Sequence, residues 1–250
     1  MEFTQKQLNR RSERALDINK PISKENIEKL RDVVNAGATS INGQGASAIF
    51  IQDKDMIAKL SKYNWNQEHI KKASLFILFV GDMNRLKYAY EKQGIKDWEL
   101  NDKNFSELLN IGTIDATIKA QSVVDAALTL DMGTCFIGGM RPVSDKLIED
   151  LNLPSNVFPI IGLTVGHIEK QEEVKPKLDA VFFEKYDDEK MRKEVDRYDE
   201  VMKGYYDKRS SNKKEANWSS VTTGTYNYSF SGPMYDKYYK LLKSKFNTKK

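Results

Sequence analysis

Leu75-Phe76-Ile77-Leu78-Phe79-Val80 is an unbroken apolar run of strand length. A half-buried strand alternates apolar and polar side chains, so a run without alternation predicts a strand covered on both faces. Working outward, Ala46–Ile51, 134–137 and 157–165 read as further strands. Between them Asn104-Phe105-Ser106-Glu107 has the spacing of a capping box. It opens a long helix expected to reach about Met132, where Gly133 stops it. Leu108, Ile111, Ile114, Ile118, Val123, Val124, Leu128 and Leu130 occupy several faces of that helix, which predicts a central, buried one. A short helix is expected over 144–151. Another follows Pro21, with Ser23 as cap, Ile22 and Ile27 at staple spacing and Gly37 at its end. Strands and helices mix without a regular βαβ repeat, so the fold class is α+β around a central sheet. The missing GxGxxG turn after the first strand removes the usual dinucleotide-fold signal.

Composition sets broad limits. With 250 residues, 40% apolar and 30% charged, the chain is long enough to bury a proper core. Its 40 basic and 36 acidic side chains leave a net charge of only +4, unlike the one-sided excess of a nucleic-acid binder. One cysteine, Cys135, and two histidines, His69 and His167, make neither an internal disulfide nor a His/Cys metal site. No run approaches membrane-spanning length and none at the N-terminus resembles a signal peptide, so a cytoplasmic protein is expected. Composition shifts near Ile168, where aromatic residues crowd into a charged background. Residues 1–167 are read as the core, and 168–250 as an arm of the same domain. Within the arm Met191, Val195, Tyr198, Met202 and Tyr205 form an apolar stripe that must pack on its own domain or on a partner subunit.

Several short segments carry chemistry. Arg10-Arg11-Ser12-Glu13-Arg14 puts three planar cations and a hydroxyl within five residues. Such a set can hold a dianionic phosphate by paired hydrogen bonds, and it also suits a solvated basic face. The small, polar loop 39–44 holds Ser40, Asn42 and Gly43. Gln67 follows Tyr63-Asn64-Trp65-Asn66, and its amide can both donate and accept. Ile137-Gly138-Gly139 ends a strand with residues that let backbone approach a flat ring. Lys175-Pro176-Lys177 and the basic stretch Arg209 to Lys214 add cations in the arm. Cys135 reads as a small buried apolar residue rather than a nucleophile.

In this order and at these separations the segments resemble the FMN-dependent nitroreductase family, in particular its oxygen-insensitive NADPH nitroreductase and flavin reductase branch, over roughly residues 8–219. The resemblance implies a mostly antiparallel sheet flanked by helices, a helical C-terminal arm, a homodimer and one FMN per site. It places both Arg10 and Arg11 among the FMN-binding residues, Arg10 at the phosphate, and Ser12 and Arg14 at the ring edge near N1 and O2. Ser40 and Asn42 would face FMN across the dimer interface, and Gln67 would meet the pyrimidine side or a nicotinamide. Ile137, Gly138 and Gly139 would aim an N–H at flavin N5, while Lys175 and Lys177 would hold the phosphate. Arg209, with Lys213 or Lys214, would contact the 2′-phosphate of NADPH. Arg10 stands where many members have His, Lys177 where they have Arg, and Trp65 and Asn66 where they often have glycines. The last departure is expected to narrow substrate access. The activity implied is NADPH-dependent reduction of nitroaromatics, quinones or flavins by ping-pong hydride transfer, with no protein acid or base. Two other functions fit these residues: an NAD(P)H:FMN reductase supplying free reduced flavin to a partner enzyme, and a non-catalytic protein that binds phosphorylated ligands or nucleic acid.

Overall fold

The computed structural model describes residues 2–95, 103–209, 213–230 and 232–245. Helix α1 (Phe3–Leu8) precedes α2 (Lys24–Ala36), β1 (Ala46–Ile51), α3 (Lys54–Tyr63), α4 (Glu68–Lys71) and β2 (Leu75–Asp82). Then come α5 (Asn84–Lys92), α6 (Phe105–Thr129), β3 (Met132–Ile137), α7 (Ser144–Asp150) and β4 (Val157–His167). Beyond these lie α8 (Asp188–Lys208), α9 (Trp218–Phe230) and α10 (Pro233–Lys245). The strands form one antiparallel sheet in the order β1-β2-β4-β3. The fold is α+β.

The β2 run is buried on both faces, as its lack of alternation requires. Leu75, Ile77 and Phe79 join the core built with α2 and α6, whereas Phe76, Leu78 and Val80 join the core under α3, α4 and α7. Helix α6 reaches β2 through glycine. A Cβ on Gly112 would lie 3.1 Å from Gly81 Cα, and one on Gly81 would collide with the Phe158 ring. Ser23 caps α2 by accepting from Asn26 N–H at 3.2 Å, which satisfies one orphan donor of the first turn.

Three features of α6 differ from expectation. Asn104 stands at its N-cap, but its side chain makes no capping hydrogen bond there. The helix stops at Thr129, because Asp131 adopts a left-handed backbone (φ 52) and Met132 already pairs with His167. Its buried side is made largely of small residues, Gly112, Ala116, Ala120 and Ala127, with Val123 and Val124. Ile114 and Ile118 point outward and are 52% and 37% exposed.

The chain divides into two compact units, Met1–Glu172 with Asp236–Lys250, and Glu173–Tyr235. The last helix therefore belongs with the sheet: Leu242 is buried there, and Tyr238 hydroxyl donates to Pro159 carbonyl at 2.9 Å. In the second unit Tyr198, Met202 and Tyr206 of α8 pack with Leu178, Trp218 and Val221. Its own unit thus covers the C-terminal half of the apolar stripe, while Met191 and Val195 stay half-exposed. Part of the basic loop, 210–212, and the tail 246–250 lie outside the described residues.

Candidate functional site

The arginine cluster is laid along the edge of the sheet beside β3. Glu13 N–H donates to Thr134 carbonyl at 2.9 Å, Asp17 N–H to His167 carbonyl at 2.9 Å, and Leu16 bridges Ile168. This short pairing fixes which way each side chain of the segment faces. Glu13 turns inward and is 5% exposed. Its Oε1 accepts from Arg11 Nε at 2.8 Å and its Oε2 from Glu172 N–H at 3.0 Å. Arg11 is thereby held by a carboxylate and, at 3.3 Å, by Asn9 carbonyl. Arg11 is thus held by groups of its own segment.

Ser12 and Arg14 face the other way, toward Cys135. Burial pushes the Cys135 thiol up, against the opposing pull of the Arg14 cation, a Ser12 hydrogen bond and the Arg10 cation. Arg14 also lies near His69 on α4; burial first, and then that cation, hold the imidazole below its ordinary value. Three sequence-predicted residues, Arg10, Ser12 and Arg14, thus converge on one strand position. The Gly138–Met140 turn follows β3 directly, three residues beyond that cysteine.

The turn is latched to the loop that carries Gln67. Asn64 is fully buried, and its Nδ2 donates to Leu60 carbonyl at 3.1 Å. Its Oδ1 has no hydrogen-bond partner and lies so close to Gly139 that a Cβ there would collide with it. The same Cβ would sit 3.3 Å from Trp65 Cζ3, whereas one on Gly138 would meet nothing nearer than Arg141 Nη2 at 3.6 Å. Gly139 is therefore glycine for close approach, and Gly138 leaves its backbone open. Trp65 and Asn66 both have φ 55, so the loop keeps a left-handed course without glycine. Ser61 hydroxyl donates to Gln67 carbonyl at 2.9 Å, which closes the loop onto α3.

Ser40 and Asn42 are elsewhere. Both the N–H and the hydroxyl of Ser40 donate to Asp115 Oδ1, at 2.8 and 2.9 Å, and Gly45 N–H donates to Oδ2 at 3.0 Å. Asn42 Oδ1 accepts from Gln44 Nε2 at 2.8 Å. Ile41 between them has φ 47 and is 95% exposed. This loop leads into β1, at the opposite sheet edge from β3. One chain does not bring it to the arginine cluster.

In the second unit Arg209 caps α8 and lies over the Tyr205 ring at 5.5 Å, while Lys214 lies over Tyr206 at 4.5 Å. Lys213 is exposed, and Lys175 and Lys177 lie at the start of this unit. A cavity of about 690 Å³ in the first unit includes Lys6, Arg10, Arg11, Glu13, Thr134 and His167 along its walls.

Sequence reasoning missed the buried polar residues that position the site, Glu13, Asn64 and Asp115. A faint signal existed for Asp115. It and Lys119 are a charged i, i+4 pair inside an apolar helix, and both are buried; Lys119 Nζ donates to Val34 carbonyl at 3.0 Å.

Comparison with known proteins agrees with this architecture. Residues 8–167 match the model of the nitroreductase family, and residues 175–249 match that of the nitroreductase family, C-terminal domain. The chain is 34% identical over 210 residues to an FMN reductase [NAD(P)H] of Bacillus subtilis (strain 168), covering 82% of this chain and 84% of the relative. It is 36% identical over 202 residues to a Cr(VI) reductase of Pseudomonas sp. (strain G-1), covering 80% and 82%. The structure of NfrA2 from B. megaterium superposes with a TM-score of 0.87 at 31% identity, covering 96% of this chain and 98% of that one. The chain belongs to the nitroreductase family.

Proposed function

We propose that this chain is an FMN-containing oxidoreductase that oxidises NADPH and reduces small, flat, electron-poor acceptors such as nitroaromatics, quinones or flavins. One observation carries the reading: Arg10, Ser12 and Arg14 converge on Cys135, close in sequence before a glycine turn whose backbone is bare at Gly138. These residues fit the cofactor. Cations and a hydroxyl suit a phosphate and an electron-rich ring edge, and a side-chain-free turn suits a flat ring. Bound there, FMN supplies the two-electron chemistry, accepting hydride at N5 and returning it to an acceptor.

The chain's own part is binding and electrostatics. Arg10 holds phosphate, the role that the family likeness also gives to Lys175 and Lys177, while Arg11 braces the segment through Glu13. Ser12 and Arg14 face the ring edge, where a fixed cation stabilises the negative charge that reduction brings. Ile137, Gly138 and Gly139 offer backbone to the ring, and Gln67 offers its amide to the pyrimidine side or a nicotinamide. Arg209 and Lys213 meet the extra phosphate of NADPH.

The working form is a homodimer. Ile41, Ile114 and Ile118 leave apolar surface on one side of the first unit, joined through the Ser40–Asp115 bonds. An exposed patch of this kind asks for a partner. A second copy covering it would bring Ser40 and Asn42 to the partner's FMN, which explains their separation from the arginines within one chain. Among the described residues no helix is long and apolar enough to cross a membrane, and the cytoplasm, where NADPH is available, is the location proposed.

The B. subtilis relative named for FMN reduction favours free flavin as one acceptor, and the Pseudomonas relative adds chromate to the panel worth testing. Steady-state oxidation of NADPH with menadione, a nitroaromatic and free FMN tests the reading. Parallel double-reciprocal lines are expected for a pocket used by donor and acceptor in turn. No acceptor-dependent oxidation with any of the three contradicts it.

A further inference from the structure

We propose that Trp65 is a specificity-determining residue, an aromatic wall that selects flat ring-bearing acceptors over non-aromatic ones. The inference rests on the FMN reading above, because the wall borders the turn assigned to the flavin.

Three observations place it. The edge of the indole abuts the turn, with Cζ3 3.3 Å from where a Cβ of Gly139 would lie. Much of the residue is open, since Trp65 is 61% exposed. A large, mostly exposed apolar side chain beside a prospective ring site can receive a second flat ring by offset or edge contact. Finally, the loop holds Trp65 in a left-handed conformation, φ 55, which side chains beyond Cα disfavour and glycine adopts freely. A backbone shape suited to glycine that carries the bulkiest side chain gains nothing in local conformation from that side chain.

The position is also fixed. Asn64, one residue earlier, donates backbone N–H to Leu60 and Ser61 carbonyls at 3.2 and 3.0 Å and its Nδ2 to Leu60 carbonyl at 3.1 Å. Gln67 N–H returns to Asn64 carbonyl at 3.2 Å. The indole is thus borne on a closed loop whose ends are tied to α3, and little ordering is needed when an acceptor arrives.

The test compares parent, Trp65→Gly and Trp65→Phe proteins, each loaded with FMN, using menadione as aromatic acceptor and ferricyanide as non-aromatic acceptor. The menadione-to-ferricyanide ratio of kcat/KM should fall about 2- to 12-fold in Trp65→Gly, the strength of one aromatic pair, with the loss carried by KM. Trp65→Phe should recover most of it. The thermal midpoint of Trp65→Gly without FMN should equal or exceed the parent's, since glycine relieves the φ. An unchanged ratio overturns the proposal. So does a lowered midpoint with equal losses for both acceptors, which is the mark of a packing role. A parent that shows no flavin absorbance after loading refutes the FMN reading itself, and that result is visible before any variant is made.

Discussion

Asp115 accepts from both the N–H and the hydroxyl of Ser40 through one oxygen, at 2.8 and 2.9 Å, and from Gly45 N–H through the other at 3.0 Å. A buried carboxylate at the middle of α6 thereby sets the path of an exposed loop. Replacing it with Ala leaves three donors without their acceptor, and hydrogen bonds to a charged group are worth about 1.5–3 kcal/mol each. Asp115→Ala should lose at least that much stability in urea denaturation, and Asp115→Asn less, because it keeps an acceptor. Equal stability of Asp115→Ala and parent would show that the loop holds itself.

Arg11 and Arg14 should separate cleanly. Arg11 and Glu13 are 16% and 6% exposed at the side chain, and breaking a buried pair costs about 3–5 kcal/mol because one charge is left uncompensated. Partial exposure of Arg11 puts the expected loss toward the lower end, with Arg11→Ala showing it in folding stability. Arg14→Ala should instead weaken FMN by about 1.5–3 kcal/mol, roughly 10- to 150-fold in Kd, and lower the flavin potential. Isothermal titration and spectroelectrochemistry read these out. Unchanged FMN affinity and potential in Arg14→Ala would make the cluster a surface feature.

Acid should destabilise the protein through its histidines. Burial, with Arg14 beside His69 and Lys20 beside His167, holds both imidazoles below their ordinary value in the folded state. Their unfolded forms take up protons first as pH falls, so stability is full above the ordinary value near 6.5 and declines below it. His69→Gln should flatten part of the decline between pH 7 and 5 in chemical denaturation, and His69→Gln with His167→Gln should flatten more. A slope unaltered in the double variant contradicts the assignment.

The proposed homodimer is tested at the exposed isoleucines of α6. Ile118→Asp would bury a charge if a second copy covers that face, so light scattering should show a monomer with FMN affinity much reduced. A dimer of full affinity would place the interface elsewhere.

Arg209 is held over Tyr205 at 5.5 Å. A cation stacked on a ring keeps its donors for a phosphate. Arg209→Ala should lower kcat/KM for NADPH by about 10- to 150-fold, the worth of a charge-assisted pair, and barely alter NADH. An equal fall for both nucleotides would assign Arg209 to loop structure.

Local rules made much of this molecule legible. The β2 run needed two covered faces and has them, Ser23 caps α2, and β1 spans Ala46–Ile51 as its pattern indicated. The end of α6 was misplaced because Asp131 turns left-handed without a glycine to announce it. Ile114 and Ile118 look like core in sequence, since periodicity records that a face is apolar and not whether the chain itself covers it. Glu13 and Asn64 gave no notice as positioning residues, and Asp115 only a faint one, because each also meets a group distant in sequence. Glu172 N–H binds Glu13 across 159 residues of chain and Ser40 binds Asp115 across 75. Tyr238 and Leu242 of α10 return to the sheet from a tail whose composition gave little notice of it.

Binding of FMN and its reduction by NADPH underlie every role assigned above. The direct measurement is anaerobic absorbance of purified protein incubated with FMN and freed of excess by gel filtration. The protein should retain a yellow flavin spectrum that bleaches on adding NADPH and returns on adding menadione. Protein that emerges colourless, or that keeps its flavin spectrum unbleached by either NADPH or NADH, contradicts those roles.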